Sequence, residues 1–354
     1  MHSHRPFLVI SEQESRISVR FQTFCATAKT DSSPEDENGF FFCTYEIENT
    51  MSSSLQTVYR LPVFSPDTFT IKCESSKTAI YLFLFFTATF SSAFWILIIW
   101  SGHLDMGFGL VIPGIMWCPG LAAIATCRLL KRPVRSLAWR WPNSKYLAAA
   151  YFLPLAYITI AYGAVWSFRL AGWNSEYVTS LTQGFGLKGC PAWGALALAL
   201  ILMGTGGVIQ NLSMTLGEEI GWRGLLLPEL AKQMSFTKAS LLSGLIWAVW
   251  HIPLLLYADY NAGTNRWYAL GCSSITCISV GLILAWLTLK SRSLWPAAVL
   301  HASHNLFLPI VFDNIIRNTG LTLWYTTVFG AALATTSTVF ALYFWKRRTE
   351  ISIM

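Results

Sequence analysis

From Thr78 onward the chain reads as eight apolar runs separated by short polar breaks, near residues 79–101, 107–129, 146–168, 192–216, 239–258, 267–289, 295–313 and 321–345. A helix needs about 20 apolar residues to cross the hydrocarbon core of a bilayer. Lipid offers no partner to backbone N–H and C=O groups, so a chain crosses it as helices or as a closed barrel. Runs of this length fit helices. The pattern predicts an all-α fold, a polytopic bundle of about eight transmembrane helices around an internal polar cavity. Composition agrees: 54% of the residues are hydrophobic and 12% are charged, half the charged share of about 25% in soluble domains.

The domain reading follows. Residues 1–77 contain "KTDSSPEDEN" and "NTMSSSLQT" and no run long enough to span. They are predicted to form a disordered or weakly ordered tail. The tail lacks the uninterrupted apolar stretch of a secretory signal, and Glu12 and Glu14 argue against a transit peptide. Residues 78–345 form the predicted helical domain, and 346–354 a short basic tail.

Charge sets the orientation. With a cytoplasmic N-terminus, the inside loops carry 14 Lys and Arg residues and the outside loops 4, the bias of the positive-inside rule. Both ends of the domain are then cytoplasmic. The net charge of +7 is spread over these loops and makes no patch with interleaved aromatics, so no nucleic-acid partner is expected. Eight cysteines include no CxxC pair, which gives no zinc ribbon and no redox motif. No internal repeat is visible, which counts against an inverted-repeat transporter.

The stretch "TLGEEIGWRGLLLPEL" closes the fourth run and puts Glu218, Glu219 and Arg223 beside membrane-length apolar sequence. Three submerged charges would cost roughly 8–10 kcal/mol before pairing. On a helix Glu219 and Arg223 are i and i+4 and face each other, while Glu218 points about 100° away. Three histidines also lie in apolar runs: His251 in "WAVWH", and His301 and His304 in "HASHN", which ends on Asn305. His301 and Asn305 share a face, and His304 lies near it at i+3. Polar groups in lipid turn inward and find one another.

A carboxylate and an imidazole can deprotonate water, and a second imidazole and an amide can donate to an oxyanion. That set suits hydrolysis without a covalent intermediate. Zinc held by Glu218, His251 and His301 is the competing reading, although HExxH is absent. A proton relay in a transporter is a further rival.

"EEIGWR", "WAVWH" and "HASHN", in that order, resemble the three motifs EExxxR, FxxxH and HxxxN of the CPBP, or Abi, family of intramembrane proteases, the type II CAAX prenyl endopeptidases. With the upstream "MWCPGLAAIATCRLLKR", the resemblance covers about residues 108–310. It implies that Glu218 activates water with help from His251, that His301 and Asn305 bind the oxyanion, and that Glu219 and Arg223 orient the site. It implies a membrane-embedded peptide or prenylated protein as substrate, a lipid environment and the endoplasmic reticulum as location, with a non-proteolytic scaffold or immunity protein of the same family as the rival. The expected cofactor is none, with zinc as the alternative. It sets no oligomeric state. Trp247 stands where the family pattern has Phe; it is read as packing and, with His304, as a candidate to support the site residues from behind. His304 lies outside the motif and is read as an outlying hydrogen bonder. Trp222 and Trp250 are read as packing residues.

Overall fold

The computed structural model describes residues 76–102, 109–187 and 191–351, together with two short strands nearer the N-terminus. Contacts divide the chain into two units, Met1–Lys72 and Cys73–Met354. In the first, β1 (Leu8–Val9) pairs antiparallel with β2 (Val58–Tyr59). The rest of the predicted tail lies outside the described residues, as does 352–354.

The second unit is helical. It consists of α1 (Ser76–Ser101), α2 (Val111–Leu129), α3 (Ser144–Ser167), the short α4 (Ser175–Gly184), α5 (Ala192–Leu202), α6 (Val208–Glu219), α7 (Leu227–Ala231), α8 (Phe236–Tyr257), α9 (Arg266–Ser291), α10 (Trp295–Asn305), α11 (Asp313–Ile315) and α12 (Ala331–Lys346). Starts follow local chemistry. The side chain of Asn143 accepts from the Lys145 N–H ahead of α3, and that of Asn265 accepts from Trp267 and Tyr268 ahead of α9. Pro296 occupies the first turn of α10, where its missing N–H costs nothing. One two-residue ladder, β3 (Gly172–Trp173) with β4 (Ile316–Arg317), ties the α3–α4 connection to the segment after α11.

Among the described residues, six helices are long and apolar enough to cross a membrane. The expected spans at 295–313 and 321–345 are shorter as regular helix. α10 ends at Asn305 and continues as π-helix over Leu306–Phe312, around Pro309, whose ring removes a ladder donor. α12 begins only at Ala331. The fourth run differs the other way. α5, a π-turn at Met203–Gly207, α6, a second π-stretch at Ile220–Leu226, and α7 form one continuous rod over Trp193–Ala231, 39 residues long. Sequence alone allows 217–237 to be part of a long or a broken helix that folds back into the membrane; the structure carries the rod on through Ala231. Large apolar side chains face outward, with Tyr81 70%, Phe85 62% and Trp100 82% exposed, an arrangement suited to lipid rather than water.

Glycines set how closely the rods approach. A Cβ on Gly217 would lie 2.7 Å from Trp117 Cα, one on Gly221 2.6 Å from Pro119 Cβ, and one on Gly120 2.6 Å from the Gly217 carbonyl oxygen. Gly217 and Gly221 are four residues apart, the small-residue spacing that lets membrane helices touch backbone to backbone. With these glycines against α2, the intervening Glu218 and Glu219 turn toward the bundle interior. A second crossing brings α8 onto α9, where a Cβ on Gly281 would lie 3.0 Å from Gly244 Cα. Gly217→Ala should destabilise the purified protein by about 1–3 kcal/mol, while Gly271→Ala, whose Cβ meets nothing within 4 Å, should not. Thermal unfolding in detergent micelles compares them.

Candidate active site

The site begins where α6 gives way to the π-stretch at Ile220. Such local widening of a helix recurs at functional sites. Arg223 Nη1 donates to both carboxylate oxygens of Glu219, at 2.8 and 3.0 Å. Both residues are 0% exposed. The expected i, i+4 pair is therefore present and fully buried. Glu219 Oε1 also lies 2.8 Å from Nδ1 of His301 on α10. Since this carboxylate already accepts from Arg223, Nδ1 of His301 carries the proton and donates to it.

His251 is fixed differently. Its Nδ1 lies 2.9 Å from the backbone oxygen of Trp247, one turn earlier on α8. A carbonyl only accepts, so Nδ1–H donates and Nε2 of the neutral ring keeps its lone pair. His251 is thus held in the tautomer of a base. His301, with Nδ1–H on Glu219, donates from Nε2 only as an imidazolium. The Glu219 carboxylate stands where that charge would form.

Glu218 is 3% exposed, and its partners were not foreseen. Oε2 accepts from the indole N–H of Trp247 at 2.8 Å and from that of Trp222 at 3.3 Å. The sequence reads Trp222 as packing alone and Trp247 as packing with a candidate supporting part. They do pack, but they also hydrogen-bond the acid. Trp247 is the hub of the site. Its ring lies 4.7 Å from the Arg223 guanidinium, 5.3 Å from the His301 ring and 5.9 Å from the His251 ring. Side chains from α6, the π-stretch, α8 and α10 thereby converge on one indole. The expected polar interior is a close-packed cluster, with His301 only 5% exposed.

Residues 192–307 match the family model "Type II CAAX prenyl endopeptidase Rce1-like". "CAAX prenyl protease 2" of Methanococcus maripaludis is 35% identical over 114 residues, which is 29% of this chain and 41% of that protein. That region is CAAX-protease-like. The Rce1-like region runs from α5 through α10 and contains Glu218, Glu219, Arg223, Trp247, His251, His301 and Asn305. With six apolar helices, the chain is an integral membrane protein. The match begins at residue 192, so the likeness read in "MWCPGLAAIATCRLLKR" lies outside it. α2 joins the Rce1-like region through the glycine contacts described above.

His304, at i+3, lies about 60° round the helix from His301. Its Nδ1 lies 2.6 Å from the Tyr157 hydroxyl on α3. His304 joins α10 to α3 and bonds neither acid. Asn305 sits one turn beyond His301 at the end of α10, half-buried. Among the described residues no three His, Cys, Asp or Glu side chains converge closely enough to hold a metal ion.

The neighbouring acids should differ in kind. Glu219→Gln leaves a buried guanidinium without its countercharge, a loss of about 3–5 kcal/mol. Glu218→Gln keeps an amide oxygen to accept from the indoles and should cost about 1 kcal/mol or less. Unfolding midpoints of the two purified variants measure the contrast, and a larger loss in Glu218→Gln would reverse the assignment of roles.

Proposed function

We propose that this chain is an intramembrane endopeptidase that hydrolyses a peptide bond in a membrane-embedded or prenylated, CAAX-type substrate with water activated by Glu218 and His251. One observation carries the reading. The Rce1-like region packs an acid, a base-tautomer histidine and a carboxylate-backed histidine around a single indole inside an apolar bundle.

The chemistry follows from these groups. Water bridges Glu218 Oε1 and His251 Nε2 and attacks the scissile carbonyl carbon as its proton passes to Glu218. The carbonyl oxygen becomes an oxyanion that accepts from Nε2–H of protonated His301 and from the Asn305 amide. Glu219 offsets the imidazolium charge, and Arg223 holds Glu219. Collapse of the tetrahedral intermediate breaks the C–N bond, and protonated Glu218 returns its proton to the leaving amine. The product carries a new carboxylate and a new amino terminus. No step uses a metal ion.

The same reading puts the basic loops on the cytoplasmic side, with both ends of the helical unit there, and the endoplasmic reticulum as the compartment. A prenylated substrate enters sideways from the lipid, its isoprenoid chain remaining in hydrocarbon. The aligned region spans 41% of the curated relative, so the substrate assignment belongs to the proposal.

Purified protein in lipid nanodiscs should cleave a farnesylated CAAX peptide and spare its unprenylated counterpart. Glu218→Gln and His251→Ala should lower kcat by about 10²–10⁴-fold, and His301→Ala by about 10²–10³-fold. Chelators should leave the wild-type rate unchanged. Full activity in Glu218→Gln would overturn the reading, and activity restored only by added Zn²⁺ would replace it with metal chemistry.

A further inference from the structure

We propose that Trp247 and Trp222 are positioning residues that make the Glu218 carboxylate one-sided, dedicating Oε1 to the reacting water. The inference rests on the hydrolytic role of Glu218 proposed above and adds two residues to it.

Both indole N–H groups end on the same oxygen, Oε2, at 2.8 Å from Trp247 and 3.3 Å from Trp222. An indole N–H only donates, so Oε2 is an acceptor in both contacts. Oε1 makes no hydrogen bond with the described residues and is left as the proton-accepting oxygen. When Oε1 takes a proton from water, Oε2 becomes the carbonyl oxygen of a carboxylic acid. A carbonyl oxygen still accepts from two N–H donors, so the clamp needs no rearrangement between the two states of the acid. Donors that stay fixed while charge moves are the arrangement in which electrostatic preorganisation is effective.

Neither indole is free to swing away. Trp222 is 1% exposed and meets Phe83 at 5.5 Å and Trp250 at 5.9 Å, edge to face in both cases. Trp247 is gripped between the Arg223 guanidinium and the two histidine rings. The two donors approach from different elements, Trp222 from the π-stretch that follows Glu218 and Trp247 from α8. Together they fix the rotation of the carboxylate. Packing alone does not account for Trp247. A phenyl ring, the residue of the motif this segment resembles, offers an aromatic face to Arg223, but it has no N–H to give.

Two measurements test the clamp. In ¹⁵N–¹H spectra of the protein in nanodiscs, the resonances missing from Trp247→Phe and from Trp222→Phe identify the two indoles. Glu218→Gln should shift both and leave the Trp286 indole, which bonds the Arg347 backbone oxygen, in place. Two unmoved resonances would overturn the clamp whether or not the protein cleaves peptides, so its failure is distinguishable from failure of the proteolytic reading. In the cleavage assay Trp247→Phe should lower kcat by about 10–100-fold, the loss of one hydrogen bond to a charged group, with KM within about twofold. Trp286→Phe should match wild type. Wild-type kcat in Trp247→Phe would return Trp247 to a packing role and reject the proposal.

Discussion

The structure depends on one buried interaction, the Glu219–Arg223 pair with His301 laid against it. Two full charges removed from water are costly, and their mutual attraction repays that cost only when geometry and hydrogen bonding are good. Here Arg223 reaches both oxygens of Glu219 through one nitrogen, and His301 takes a place on Oε1. Nε and Nη2 of Arg223 are buried without a hydrogen-bond partner among the described residues, so the pair is weak evidence for stability; what it does is join the rod to α10. In a bundle whose helices otherwise slide on apolar surfaces, it fixes the rotation of the 39-residue rod and of α10 together. Once Glu219 faces α10, its sequence neighbour Glu218 faces α8 and the indole of Trp247.

Backbone contact makes that pairing reachable. The rod meets α2 at Gly217 and Gly221, and α8 meets α9 at Gly244 and Gly281, with no room for a Cβ at the contact points. The π-stretch over Ile220–Leu226 widens the rod immediately after the two glutamates, where Trp222 and Arg223 must both reach inward. Sequence thus acts at three levels. Glycine spacing sets the distance between rods, the helix period sets which acid looks where, and the aromatic hub fills the space that would otherwise leave the acids unsupported.

The bundle itself was legible from hydropathy, because lipid leaves so few ways to satisfy a backbone. The pairing of Glu219 with Arg223 was legible too, because it needs only the helix period. The site-forming likeness is matched by the Rce1-like region from residue 192 to 307. What the sequence hid were directions and irregularities. His304 bonds Tyr157 on another helix, a partner that spacing on one helix cannot reveal. Trp222 read as bulk, and Trp247 as a supporting residue without a stated partner, because an indole N–H declares itself only beside its acceptor. The π-stretches, and the helix that starts at Ala331 instead of 321, arise from tertiary packing and local turns that an apolar run does not encode. One available signal went unused: Gly217 and Gly221 bracket the two glutamates at the spacing of helix–helix contact, and that alone points the acids away from α2.

The central claim is that Glu218 activates water for direct attack on a peptide bond. The most direct measurement is cleavage of a farnesylated CAAX peptide by the purified protein in ¹⁸O-water, with hydroxylamine present and the products weighed by mass spectrometry. The account predicts one ¹⁸O in the new carboxylate after a single turnover and no hydroxamate. A hydroxamate product, which reports an acyl-enzyme formed by a protein nucleophile, or no cleavage at all, would contradict it.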